Sequence, residues 1–112
     1  MLTNARSYHH IQRLARWAAE LSIKARGHAA ACTLAAEPYS VCVVAAENVA
    51  WLRVLAERVA TDESIRPRWG LSTLDQMRVV AEQCYIIARD AEKQAHQATK
   101  ELKVSVAERS AS

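Results

Sequence analysis

The sequence has few of the residues that interrupt regular structure: no phenylalanine, two glycines and two prolines among 112 residues. Folds rich in strands need many turns, and Gly and Pro are among the main turn-forming residues. Alanine, in contrast, occurs 22 times, and 51% of the residues are hydrophobic. Because Ala is the strongest helix former, this composition predicts a single all-α domain over residues 1–112.

Long uninterrupted apolar runs are also missing. The most apolar stretch, residues 41–59, contains Glu47 and Asn48, whereas a membrane span needs about 18 apolar residues in succession. The first residues, MLTNARSYHHIQR, carry Arg and His where a signal peptide would be apolar. These features predict a cytoplasmic protein with no membrane partner.

Cysteine is scarce and odd in number, with Cys32, Cys42 and Cys84 lying in apolar surroundings. This pattern indicates reduced core thiols and not a disulfide framework. His28 and Cys32 have the i, i+4 spacing that lets two side chains face one metal ion, and a histidine and cysteine among alanines resemble the copper-storage helical bundles. The chain lacks the closely spaced cysteine pairs of that family, so we predict no metal and no cofactor.

Apolar residues at alternating three- and four-residue steps predict three long helices. They cover about residues 5–36, 39–60 and 72–108. Gly27 lies inside the first and splits it in an alternative with four helices, because Gly disfavours a helix interior. Pro38 is expected to end the first helix, because it restricts the residue before it.

The second helix is the most apolar element. Val41, Val43 and Val44 are also compatible with a buried strand, but the length of the segment favours a helix. Its predicted core face consists of Cys42, Ala45, Val49, Leu52, Ala56 and Val59. Val44, Trp51 and Leu55 widen that face, so this helix should be covered by the other two in an antiparallel bundle.

The third helix is predicted to be the longest, at roughly 55 Å against about 32 Å for the second. Its predicted apolar stripe consists of Met77, Val80, Cys84, Ile87, Ala91, Ala98 and Leu102. A helix that outruns its neighbours leaves part of such a stripe uncovered, which monomers usually avoid. We therefore expect a homodimer in which the overhanging ends meet.

A charged loop is predicted at residues 61–71 and a frayed tail at 109–112. The segment LAERVATDESIRPRW, residues 55–69, resembles the helix-turn-helix of bacterial DNA-binding proteins at Ala56, Val59 and Trp69, which implies DNA binding. Pro67 falls inside what would be the recognition helix, where it removes a hydrogen bond and clashes with the preceding turn. We interpret the segment as a helix end followed by a loop.

A second resemblance involves Arg89, Asp90 and His96, which are similar to the Arg, polar residue and His signature of the helical HEPN ribonucleases. The resemblance implies RNA cleavage, and helical spacing does place Arg89 and His96 on one face. The simpler interpretation is two solvated polar residues, and we predict that the protein is not an enzyme.

The positive charge is concentrated at the start of the chain, since residues 1–37 hold five basic and two acidic residues. Cations near a helix N-terminus oppose its dipole, so a bound anion would relieve their repulsion. The alternative is an ordinary solvated face. The candidate contacts to an acidic partner or to phosphate are Arg6, His9, His10, Arg13 and Arg16, here called the basic face, together with Arg66 and Arg68 in the predicted loop.

Two glycines are too few for a phosphate-binding loop. The leading hypothesis is a small non-enzymatic interaction or assembly module, such as a structural subunit, adaptor or inhibitor, that acts through protein contacts. The alternative hypothesis is a basic helical protein that binds nucleic acid, for example as a ribonucleoprotein subunit.

Overall fold

A computed structural model describes residues 4–61 and 74–111. Within these residues there is no strand, and each helix packs against the other two. The prediction of an all-α bundle of three helices is therefore confirmed. The elements are α1 (Asn4–Ala31), a short 3-10 helix (Thr33–Ala35), α2 (Ala36–Thr61) and α3 (Leu74–Ala111).

Helices α1 and α3 run in the same direction, and α2 runs antiparallel to both. Near one end of the bundle, His10 of α1 pairs with Glu82 of α3. At the other end, the thiol of Cys32 donates to the carbonyl of Ala98 at 3.8 Å. The molecule measures 67 × 23 × 17 Å along its principal axes.

Helix α1 continues through Gly27 without a break, so the alternative with four helices is wrong. Gly27 is exposed, and a Cβ added there would meet nothing within 4 Å. Neighbouring Ala25 is fully buried. Packing of the helix on both sides of Gly27 offsets the modest helix penalty of glycine.

The break between α1 and α2 comes earlier than predicted. Cys32 has extended backbone angles, φ −149° and ψ 123°, and its N–H donates to the carbonyl of His28 at 2.9 Å. Helix α2 already begins at Ala36. Pro38 therefore lies in the first turn of α2, where the missing N–H would have no helical partner in any case.

The core has two parts of different character. The part nearer the start of α1 contains larger side chains, among them Ile11, Leu14, Val49, Leu52 and Met77. The other part, here called the alanine core, contains almost only small side chains. Its members are Ala25, Cys32, Ala35, Cys42, Ala45, Ala88, Ala91 and Ala95.

Helix α3 is rotated relative to its predicted face. Ala81, Ala88 and Ala95 point into the core, although none of them was in the predicted stripe. Val80 and Cys84 are only half-buried, and Ile87 is 49% exposed. Small side chains let helices approach closely, so α3 turns its alanines inward and leaves larger residues at the edge.

The end of α3 extends beyond the bundle, as predicted. Thr99 is the last buried residue, and the side chains of 100–110 are exposed except for half-buried Ser105. Residues 100–111, here called the overhang, are about 18 Å long. In contrast to the predicted frayed tail, the helix includes residues 109–111, a segment that contains no Gly or Pro. Apart from Thr61, the predicted loop lies outside the described residues.

Among the described residues, one stretch, Thr33–Thr61, is long and apolar enough to cross a membrane, judged by length and composition alone. The mean hydropathy of its most apolar window is 1.3. The middle helix of a bundle has the same properties. The predicted cytoplasmic location and the predicted lack of a membrane partner stay predictions.

Candidate interaction surfaces

The basic face lies at the start of α1, beside the first turns of α3. Arg6, His9, His10 and Arg13 line an open groove of about 430 Å³ together with Glu82. Arg16 is exposed on the same helix. Arg66 and Arg68 lie outside the described residues.

An ion-pair network of α3, with two carboxylates and one guanidinium, borders this face. Nε2 of His10 lies 2.9 Å from Oε1 of Glu82, and Arg78 donates to the same oxygen at 2.8 Å. Arg78 also donates to Asp75 at 2.9 Å. These hydrogen bonds, first that to Asp75 and then that to Glu82, raise the pKa of the Arg78 guanidinium. The face therefore contains an ion-pair network that its sequence on α1 did not reveal.

Arg89 and His96 do not meet in the described part of the chain. Arg89 lies 3.8 Å from Asp90, its neighbour in sequence. The ring of His96 instead packs edge-on against His28, with 4.8 Å between the ring centroids. The arrangement that the nuclease resemblance implies is thus absent from the described contacts.

The potential metal ligands do not gather into one site within the described residues. His28 Nε2 lies 3.3 Å from Glu92, whereas the thiols of Cys32 and Cys42 are buried in the alanine core. Burial, and then the charge of Glu92, raise the pKa of the Cys42 thiol. Cys84 lies apart, between α2 and α3. Among residues 4–61 and 74–111, no group of three ligands could hold a metal ion.

Most members of a row of side chains along α2 are open to solvent. Its members recur at alternating steps of three and four residues, the spacing of one helix face. Val44 is 57% exposed and Trp51 is 61% exposed. We call this set the α2 row: Val41, Val44, Asn48 and Trp51, which are exposed, and Leu55, which is half-buried and packs against the core.

A groove separates the first half of the α2 row from α3. It has a volume of about 360 Å³ and is open to solvent. Val80 and Cys84 are half-buried beside the row, and burial raises the pKa of the Cys84 thiol. We call this the outer groove, and it is lined by Ser40, Val41, Val44, Ala45, Asn48, Cys84 and Ile87.

The overhang of α3 forms a second uncovered surface. Leu102 is 39% exposed, and Val104 and Val106 are 56% and 53% exposed. Leu102 belongs to the predicted apolar stripe of α3, which therefore continues past the last residue that the other helices cover.

The α2 row and the outer groove were missed by the sequence prediction. Val44, Trp51 and Leu55 were expected to be covered by the flanking helices, but only Leu55 is partly covered, and Val44 and Trp51 are exposed. A signal was present in the sequence, because a second apolar face at helical spacing exceeds what two neighbours can bury.

No protein-family model matches the chain, and no curated protein or solved structure shows significant similarity to it.

Proposed function

We propose that the protein is a small non-enzymatic assembly module that self-associates and presents helical surface to a protein partner. The observation that supports this most directly is the exposure of the α2 row. Contiguous apolar surface on a folded domain is characteristic of a protein interaction site.

The composition of the row favours a protein contact. Trp51 is the largest exposed side chain in the row, and Trp is enriched among the residues that contribute most to binding energy. The flanking outer groove provides a concave apolar site next to the row. A surface with both a large exposed aromatic residue and an apolar groove suits a partner of similar chemistry.

The overhang suits a different role. Its turns, about three in number, carry exposed Leu102, Val104 and Val106, with no helix beside them in the described residues. An amphipathic helix commonly binds by laying its apolar residues into a groove of another protein. We assign the overhang to contact with a partner protein.

Nucleic-acid binding through the basic face is the alternative, and the positions of Arg6 and Arg13 along one groove favour it. Glu82 opposes it, because a carboxylate in the groove repels phosphate. We therefore rank it second.

Light scattering coupled to size-exclusion chromatography tests the proposal. We expect the mass of a dimer at micromolar concentration and an ultraviolet absorbance ratio free of nucleic acid. A monomer mass at every concentration would contradict self-association. Co-purifying nucleic acid whose binding weakens steeply with salt and is lost in Arg13→Ala/Arg16→Ala would support the alternative.

A further inference from the structure

We infer that two copies of this chain pair through α2 in antiparallel orientation, with Trp51 of each copy seated in the outer groove of the other. The inference rests on the proposed self-association and specifies its surface. Four features of the described residues support it: the placement of Trp51 and the groove, the charges at the ends of the row, the position of Asn48, and the size of the face.

Trp51 and the outer groove lie in different halves of α2. The groove is lined by residues 40–48 of α2, and Trp51 follows one turn later. Asn48 lies close to the middle of α2, which runs from Ala36 to Thr61. A twofold axis near Asn48 and perpendicular to α2 therefore brings Trp51 of one copy over Val44 of the second. Parallel pairing would place Trp51 against Trp51 and leave both grooves unfilled.

Charges at the two ends of the row agree with this orientation. Glu37 and Arg58 continue the spacing of the row beyond Val41 and Leu55, and both are exposed. Antiparallel pairing places Glu37 near Arg58 of the second copy. Parallel pairing would bring like charges together at both ends, which is unfavourable.

Asn48 is the polar residue within the row, and it is exposed. Near a twofold axis it meets Asn48 of the second copy. Each amide provides both donors and an acceptor, so the two side chains can satisfy each other. A single polar residue in an apolar seam is a known means of fixing the register of paired helices.

The face is large enough for a stable dimer. From Glu37 to Arg58 it is about 32 Å long, and the bundle is 17 to 23 Å across. Across the full width of the bundle, such a face covers about 540 to 740 Å², at the lower end of the range around 800 Å² that each partner buries in a standard interface. In this dimer the overhangs point away from each other at opposite ends, in contrast to the expected dimer in which they meet.

The first test replaces Trp51. Trp51→Ala should raise the dissociation constant of the dimer on the order of 30-fold or more, because it removes the residue that fills the groove. The matched control is Ile23→Ala, which removes a side chain that is 60% exposed on α1 and away from the face. Circular dichroism should show unchanged helix content in both variants, since Ala favours a helix.

The second test determines the orientation by disulfide cross-linking in Cys84→Ser, which leaves the buried Cys32 and Cys42 in place. Val41→Cys and Leu55→Cys should cross-link when the two proteins are mixed, and neither should cross-link efficiently alone. Efficient cross-linking of Val41→Cys with itself would indicate parallel pairing and overturn the inference.

The remaining outcomes separate the inference from the proposed function. A monomeric wild type overturns both. A dimer that is unaffected by Trp51→Ala and cross-links through Leu102→Cys overturns the inference and leaves self-association standing. If the wild type is a monomer that floats with phosphatidylcholine vesicles, and Trp51→Ala loses this binding, the face binds a lipid surface. This result overturns the inference as well.

Discussion

At the residue scale, the buried side chain of Ser7 is a source of instability. Its side chain is 1% exposed, and its hydroxyl oxygen has no hydrogen-bond partner within the described residues. A buried polar group without a partner destabilises the folded state. Ser7→Ala should therefore raise the free energy of unfolding, as measured by urea denaturation.

Ser22 provides the matched control, because it lies on the same helix and donates to the carbonyl of Ala19 at 2.8 Å. Both changes to Ala improve helix propensity, but only Ser7→Ala also removes an unpaired hydroxyl. We expect the gain at Ser7 to exceed that at Ser22 by about 1 kcal/mol. An equal effect at the two positions would show that Ser7 finds a partner in solution.

The thiols of Cys42 and Cys84 differ in solvent access but have pKa values shifted in the same direction. Burial raises the pKa of both Cys42 and Cys84, and Glu92 adds to the shift at Cys42. Only the thiolate reacts with iodoacetamide. Both cysteines should therefore react more slowly than a free thiol at neutral pH and accelerate as pH rises above the usual thiol pKa.

Alkylation for different times, followed by mass spectrometry, would show the order in which these two thiols react. Cys84 lines the open outer groove, whereas Cys42 is fully buried. We expect Cys84 to be modified first in the folded protein. Faster modification of Cys42 would contradict the described packing of the alanine core.

At the element scale, Gly27 is a site where α1 can be stabilised. It lies in a helix interior, is exposed, and has open space where a Cβ would be placed. Gly27→Ala should raise the free energy of unfolding by about 0.5 to 1 kcal/mol. The control Ala30→Gly, at an exposed position of the same helix, should lower it by a similar amount.

The overhang should contribute little to the stability of the bundle. Its side chains are nearly all exposed, so a chain that ends before Leu102 should unfold at almost the same urea concentration as the full chain. A chain that ends before Glu92 should be much less stable, because it loses buried Ala95 and the residue that pairs with His28. A large loss of stability in the chain that ends before Leu102 would show that the overhang packs against the bundle.

The elements themselves could be read from the sequence, whereas their ends and rotations could not. Periodicity predicted all three helices, but Pro38 was expected to end a helix and instead lies in the first turn of one. For α3, hydrophobicity favoured Val80 and Ile87 as core residues. Close packing placed Ala81 and Ala88 there, and this preference appears only when three helices meet.

At the scale of the whole molecule, the prediction of a three-helix bundle is confirmed. The exposure of the α2 row was not predicted. The sequence indicated that α2 is apolar on many sides, but not which sides two neighbours would leave open. The sides that stay open depend on the angles at which the helices cross, and the spacing of residues in the sequence does not determine those angles. The basic face was predicted from α1 alone, so the ion-pair network of α3 that borders it was also missed.

The proposed dimer and nucleic-acid binding should respond differently to salt. Burial of the α2 row is apolar, and an exposed pair such as Glu37 and Arg58 contributes little. We expect the dissociation constant of the dimer to change only a few-fold between low and high salt, measured by light scattering. Loss of association by several orders of magnitude would instead indicate contacts dominated by charge.

Because of the alanine core, the two ends of the bundle should differ in how well they tolerate substitutions. Around Ile11, Leu52 and Met77, one aliphatic side chain can replace another while the volume is conserved. Around Ala88, Ala91 and Ala95, every substitution except glycine adds atoms where the helices already touch. Tolerance to mutation should thus be graded along the molecule, permissive toward the chain's first residues and restrictive where the second helix begins.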